Sequence, residues 1–398
     1  MILEQSEHVI QEVKKAFMGK DDIIRRVLAT IYAGGHILLE DSPGVGKTTL
    51  ALAFSRVLGL DYKRIQFTTD TLPSDITGFT MYNRQNEQFE YHEGAAMCNL
   101  LLADEINRTS PKTQSALLEA MEERRVTVDG VTRPLPTPFI CIATQNPLGT
   151  TGTQALPSSQ LDRFMVRLSI GYPSAEDQIK ILKARRYSNP LEEIQVAAQA
   201  ENILEIQNYL SALKISDDIL YYLIRLCEAT REHPLVELGI SPRGVWALTK
   251  MAKAWAILKD RSYVIPEDVQ EVFTDVCAHR LILKPQARLE GISEKEILQD
   301  ILKETKPLKD PKRWTRIRIG FGTAVVATAV LFFLSGSYFT AGVFIIEILL
   351  PVVLRFFLRL ETNGMELEMH TRSACRLGQT IEIDISVKSR WRCLAAAR

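Results

Sequence analysis

The segment Asp41-Ser42-Pro43-Gly44-Val45-Gly46-Lys47-Thr48-Thr49 has the make-up of a loop that wraps phosphate groups. An apolar run, His36–Glu40, leads into it, and a helical pattern, Lys47–Leu58, leads out. Backbone N–H groups across Gly44–Thr49 then converge at the positive end of a helix. In that geometry Lys47 contacts the β- and γ-phosphates of a nucleotide, and the Thr48 hydroxyl supplies an oxygen to Mg²⁺. The strict pattern has Gly where Asp41 stands. At the strand exit, away from the closest phosphate approach, that change is tolerable. A second apolar run, Asn99–Ala103, delivers Asp104 and Glu105. A carboxylate at a strand end holds Mg²⁺ through water, and the next one polarises an attacking water. A third run, Phe139–Ala143, ends at Thr144-Gln145-Asn146-Pro147, where the Asn146 amide is suited to orient water or sense a γ-phosphate. Arg163, in Leu161-Asp162-Arg163-Phe164, and Arg243, in Ser241-Pro242-Arg243-Gly244, add two cations for phosphate charge. Taken alone, each has an ordinary explanation, whether a surface acid pair, an Asn-Pro turn or a surface arginine. Their order along the chain is what points to phosphoryl chemistry.

Those residues need a scaffold that delivers them to one edge. His36–Glu40, Arg64–Phe67, Asn99–Ala103 and Phe139–Ala143 read as buried parallel strands, with helices such as Lys47–Leu58 and Pro111–Arg124 between them. The expectation is an α/β layer over residues 1–173, with its ligand at the carboxyl ends of the strands. Two hairpins interrupt it. Phe79–Tyr91 alternates around Arg84-Gln85-Asn86-Glu87, and Val126–Thr132 turns at Asp129-Gly130. From Ser174 to about Thr305 the pattern is helical throughout, with helix starts at Ser241-Pro242 and Pro266 and a capping box at Ser293–Glu296.

Composition bounds the rest. From Lys306 onward there are 14 Lys/Arg against 7 Asp/Glu, which leaves 34 against 41 in residues 1–305. An acidic body argues against broad nucleic-acid binding, and a basic tail beside apolar runs points to a membrane surface. Cys98, Cys141, Cys227, Cys277, Cys375 and Cys393 show no metal or disulfide spacing, which fits a reducing cytosol. After a basic linker at 306–316, Ile317–Leu334 and Phe339–Leu358 are apolar stretches of 18 and 20 residues. Each approaches the span of a ~30 Å hydrocarbon layer. Their basic flanks predict a transmembrane helical hairpin with both ends in the cytoplasm, anchoring the preceding domain to the cytoplasmic membrane. Glu347 lies within the second stretch. Residues 359–398 alternate weakly and read as the beginning of a β-rich domain.

The chain resembles the MoxR-type AAA+ ATPases from about Ile10 to Leu302. The resemblance rests on Pro43–Thr49, on Leu72-Pro-Ser-Asp-Ile-Thr-Gly78, on Leu101-Leu-Ala-Asp-Glu-Ile-Asn-Arg108, on Pro111–Arg124, on Ala143–Pro147 and on Gln160-Leu-Asp-Arg-Phe164. It implies a Walker A site with ATP at Lys47 and Thr48, Walker B at Asp104 and Glu105, and sensor 1 at Asn146. It also implies an arginine finger at Arg163 and sensor 2 at Arg243, in hexameric rings that act as chaperone-like motors on a protein client. Such rings often work beside partners with von Willebrand A domains. The sequence departs from the family pattern at Ser158, where an acid is usual, and at Thr150–Thr153. The tail from about Arg313 resembles the start of DUF58 membrane proteins. The expected function is Mg·ATP hydrolysis by an oligomer. The alternatives are a nucleic-acid motor, since minichromosome-maintenance helicases are similar in core layout, and a non-catalytic membrane scaffold that binds nucleotide.

Overall fold

The computed structural model describes residues 2–146, 156–184 and 189–306, together with the strands at 365–370 and 384–389. Met1–Leu308 form one compact unit. Five strands make its sheet: β1 (Ile37–Glu40), β2 (Tyr62–Gln66), β3 (Leu100–Asp104), β4 (Ile140–Gln145) and β5 (Val166–Leu168). All neighbours are parallel, in the order β2-β3-β4-β1-β5. In β1, β3 and β4 the apolar runs are continuous because both faces are covered, whereas β2, expected to be buried, is half-exposed at the edge of the sheet. Ile37, Leu39, Leu100, Leu102, Ile140 and Ile142 enter one buried cluster, whereas Leu38, Leu101, Ala103, Cys141 and Ala143 enter the other. β5 escapes a reading by pattern, being three residues with Arg167 at its centre.

Parallel pairing also sets the register of the chemistry. Gln66 stands beside Asp104, Ala103 beside Ala143, and Glu40 beside Gln145. The ends of β1 to β4 therefore bring Asp41, Gln66, Asp104 and Asn146 to one edge of the sheet.

Both expected hairpins form, Phe79–Asn83 with Gln88–His92 and Arg125–Val128 with Val131–Pro134. In the second, Asp129 and Gly130 take φ of 51° and 76°, the left-handed pair that a two-residue turn requires. The helical region carries Asp217–Glu232, Pro242–Leu258, Pro266–Cys277 and Glu294–Glu304, and the cap hydroxyls of Ser241 and Ser293 accept from Gly244 and Glu296 N–H. It is not helical throughout. Val236–Leu238 and Ile282–Leu283 pair as a short antiparallel ribbon, too brief to leave a period in the sequence. Leu248, Met251 and Val272 share one buried cluster with Val27 and Leu28 of the N-terminal helices, so core and helical region pack as one body.

In the second unit, Lys309–Arg398, the strands Met365–His370 and Asp384–Ser389 pair antiparallel. The stretches 317–334 and 339–358, expected to cross a membrane, lie outside the described residues. Among the described residues no helix is long and apolar enough to do so.

Candidate active site

The loop after β1 turns through Gly44 and Gly46, at φ of 84° and 99°, and the helix Lys47–Val57 starts directly after them. No side chain caps this helix start, so its first N–H groups stay available to an anion. Lys47 Nζ donates to the Asp41 carbonyl at 2.6 Å. Burial lowers the Lys47 pKa from its ordinary value, and the charges of Asp41, Asp104, Glu105 and Glu40 oppose that shift. One ammonium thus lies in the field of the P-loop and of both strand-end acids.

Asp41 is an anchor. Its carboxylate is buried and accepts from Ser169 Oγ at 2.8 Å, from the Ile170 N–H, and from the Gly171 N–H at 3.0 Å. The residue that breaks the strict glycine pattern ties the P-loop to the segment leaving β5. Sequence reasoning treated it as merely tolerated, because its partners lie about 130 residues away.

At the end of β3, Asp104 accepts from Thr144 Oγ1 at 2.6 Å and from Arg64 at 2.8 Å. Glu105 has a left-handed backbone, φ 58° and ψ 48°, and its N–H donates to Thr144 Oγ1 at 2.9 Å. A non-glycine residue held in this region carries strain, which is found at functional sites. The Glu105 carboxylate meets Gln66 Nε2 and Arg108 Nη1, each at 2.9 Å. Asn146 follows β4, and its carbonyl accepts from Asn107 Nδ2 at 3.4 Å. Arg64, Gln66 and Thr144 were not singled out from the sequence. Their signal is positional, since they sit on β2 and β4, the two strands that flank β3 and its acids.

The two arginines sit elsewhere. Arg163 Nε lies 3.3 Å from one oxygen of Glu122, and Arg243 Nη1 lies 3.0 Å from the other. Both line a cleft with Arg124, Trp246 and Lys250. Neither lines the cavity of about 370 Å³ that holds Gly44, Val45, Gly46 and Thr49. The structure brings Lys47, Asp104 and Glu105 into one field and Arg163 with Arg243 into a different cleft.

The chain matches the model of the ATPase family associated with various cellular activities (AAA) over residues 36–166. It matches an AAA lid domain over residues 228–301. It is 46% identical over 297 residues to the uncharacterized protein YeaC of Bacillus subtilis (strain 168), covering 75% of this chain and 93% of that one. To the chaperone MoxR1 of Mycobacterium tuberculosis it is 38% identical over 305 residues, 74% of this chain and 80% of that one. The chain belongs to the MoxR family of AAA ATPases. A crystal structure from Cytophaga hutchinsonii ATCC 33406 is similar with a TM-score of 0.72 and 38% identity, over 77% of this chain and 96% of that one.

ATP is accordingly the nucleotide that this MoxR ATPase binds and hydrolyses. Beside the P-loop its cavity is lined by Phe17, Met18, Ile170, Tyr172, Ile181 and Leu182. Such a wall suits the flat apolar face of a purine, while the glycine-rich side suits phosphate. Sequence reasoning missed these six because they come from three separate segments, one of them about 150 residues before the others, and share no pattern.

Proposed function

We propose that this MoxR ATPase hydrolyses Mg·ATP in a ring-shaped, hexameric oligomer and uses the cycle as a chaperone-like motor on a protein client. The observation that carries the reading is the division of the chemistry. Lys47 of the P-loop lies in the field of Asp104 and Glu105, while Arg163 and Arg243 converge on Glu122 in a cleft that shares no lining residue with the P-loop cavity. Two half-sites on one subunit become whole sites when copies are apposed head to tail, and such contacts make a ring where the rotation between copies closes.

In this reading Pro43–Thr49 cradle the phosphates, with the Lys47 ammonium on the β- and γ-oxygens. Glu105 takes the proton of the attacking water, and Asn146 orients that water. Arg163 and Arg243 of the adjoining subunit neutralise charge on the transferring phosphoryl group. Mg²⁺ fits the oxygen donors present, the Thr48 hydroxyl and the Asp104 carboxylate. Among the described residues no cluster of three His, Cys, Asp or Glu could hold a metal, and magnesium bound with phosphates and water does not need one. When bound there, held by Thr48 and Asp104, Mg²⁺ would supply positive charge that offsets the charge of the phosphate groups.

A protein client is favoured over nucleic acid by the first hairpin. It exposes Phe79, Met81, Tyr82 and Phe89, but its acids Glu87 and Glu90 outnumber the single cation, Arg84. Stacking on a nucleic-acid strand needs aromatics inside a basic groove. The same reading takes 1–173 as ATPase core, 174–305 as lid and 306–316 as linker. It takes 317–358 as a transmembrane hairpin and 359–398 as a DUF58-like β segment, with a von Willebrand A domain protein as partner.

Subunit mixing tests the central claim. Arg163→Ala and Lys47→Ala are each expected to lose most hydrolysis, by about a thousandfold for a missing arginine finger. Their mixture regains activity, because a mixed interface pairs an intact P-loop with an intact arginine. No recovery at any ratio, with mixed oligomers verified, overturns the trans assignment. Stimulation by single-stranded DNA would favour the nucleic-acid motor instead.

A further inference from the structure

Arg280 is a buried charge that the mechanism above does not use. It closes the short turn Ala278–Arg280 after the helix Pro266–Cys277, and it is 5% exposed. Nε donates to the Asp162 carboxylate at 2.6 Å. Nη2 donates to the carbonyls of Asp162 at 3.1 Å and Phe164 at 2.7 Å, and Nη1 donates to that of Met165 at 3.1 Å. A further bond, from Nη1 to the Val276 carbonyl, ties the guanidinium to its own helix. Nη1 also lies 2.9 Å from Nε2 of the adjacent His279, and every bond beyond this helix and turn lands on residues 162–165, the segment that carries Arg163.

The second oxygen of Asp162 reaches the segment that carries the other arginine. It accepts from Ser241 Oγ at 3.1 Å, and Ser241 caps the helix whose second residue is Arg243. Gly244, the next residue, lets the Arg280 stem pass. A Cβ there would stand 2.9 Å from Arg280 Cδ and 2.6 Å from Ile240 Cγ2. Arg280 is thereby hydrogen-bonded to one arginine-bearing segment and packed against the other.

We propose that Arg280, acting through Asp162, is the positioning residue that presents Arg163 and Arg243 as one unit to the nucleotide of the adjoining subunit. The proposal rests on the trans assignment made above. Plain cohesion between helical region and core does not call for this residue. Taking a guanidinium out of water is costly, and a packed apolar residue often stabilises as well or better. What a planar fork adds is direction, because its donors fix several acceptors in one geometry. Here the fixed acceptors flank Arg163 on both sides. A rotation of the helical region would then carry both arginines with it.

Arg280→Lys keeps the charge and loses the fork. In the full chain it is expected to bind ATP as the parent does, while kcat falls about ten- to a hundredfold, the scale of misplacing a catalytic group by about an ångström. Mixed with Lys47→Ala subunits, it should regain activity, since it brings an intact P-loop and Glu105 while its partner brings an intact arginine unit. Mere destabilisation would lower ATP affinity and would not be rescued in the mixture. The Arg163→Ala plus Lys47→Ala mixture is the control. If the control also regains nothing, the trans assignment fails and takes this proposal with it. If the control recovers and the Arg280→Lys mixture does not, Arg280 is structural only and the proposal alone is overturned. Parent-like kcat in Arg280→Lys overturns it too. Should that variant not assemble, Asp162→Asn is read in the same mixture. It keeps the side-chain volume and removes the charge facing Arg280, and parent-like turnover there has the same consequence.

Discussion

Replacing Asp41 by glycine, the residue that the strict phosphate-loop pattern has there, is expected to damage the protein. Asp41 is 7% exposed, and its carboxylate satisfies the N–H groups of Ile170 and Gly171 as well as the Ser169 hydroxyl. Asp41→Gly leaves two backbone donors without their acceptor. The buried Ile170 N–H costs about 1–3 kcal/mol when left unsatisfied, and the half-buried Gly171 N–H, on the cavity wall where water can reach it, adds less. The Ser169 hydroxyl can rotate to another acceptor and adds little. Glycine also gives the unfolded chain more freedom, worth a further ~0.5–1 kcal/mol. Function follows stability here, because Gly171 lines the same cavity as Gly44 and Gly46. With the tether cut, the cavity wall and the P-loop are no longer held in register, and ATP binds more weakly. Urea unfolding followed by circular dichroism measures the first effect, and titration with a fluorescent ATP analogue measures the second. Asp41→Asn, which keeps one acceptor oxygen, should fall between parent and glycine variant. An unfolding midpoint for Asp41→Gly equal to or above the parent's, with unchanged ATP affinity, would refute the anchoring argument.

Lys47→Ala should weaken ATP binding, whereas Glu105→Gln should keep ATP bound and slow phosphate release about a hundredfold or more, as for a positioned base. Parent-like turnover in the glutamine variant removes Glu105 from that role. Stability should fall as pH drops from 6.5 to about 4, in part through His36, which burial pushes down from 6.5 to about 4 against the hydrogen bond to the Met121 carbonyl. The folded state keeps the ring neutral while the unfolded state takes up a proton below pH 6.5. The stability is therefore complete above that pH and is lost on the way down, by about 3 kcal/mol at most. His36→Gln should show a shallower decline in urea unfolding across that window, and an identical slope would exclude His36 as a contributor. The full chain should stay with membranes through alkaline carbonate extraction, and a version ending at Thr305 should not. Release of the full chain would contradict insertion of residues 317–358.

What the sequence alone determined was whatever is written in contiguous residues. The P-loop is a strand, a glycine turn and a helix within about twenty positions, and its conformation follows from Gly44, Gly46 and the helix pattern behind them. The second hairpin follows from Asp129-Gly130, and the helix starts at Ser241 and Ser293 from cap chemistry three residues long. Unbroken apolar runs announced strands covered on both faces, because a half-exposed strand would have alternated. The tertiary structure decided the rest. No local pattern states that β1 lies between β4 and β5, or that a three-residue strand closes the sheet. Nor does one state that Asp41 meets Gly171, that Arg163 and Arg243 share Glu122, or that Arg280 grips the segment around Arg163. Each of these joins single polar side chains across scores of residues. A periodic hydrophobic signal arises from many residues repeating one demand, whereas a hydrogen bond between two distant groups leaves one residue at each end and no period between them.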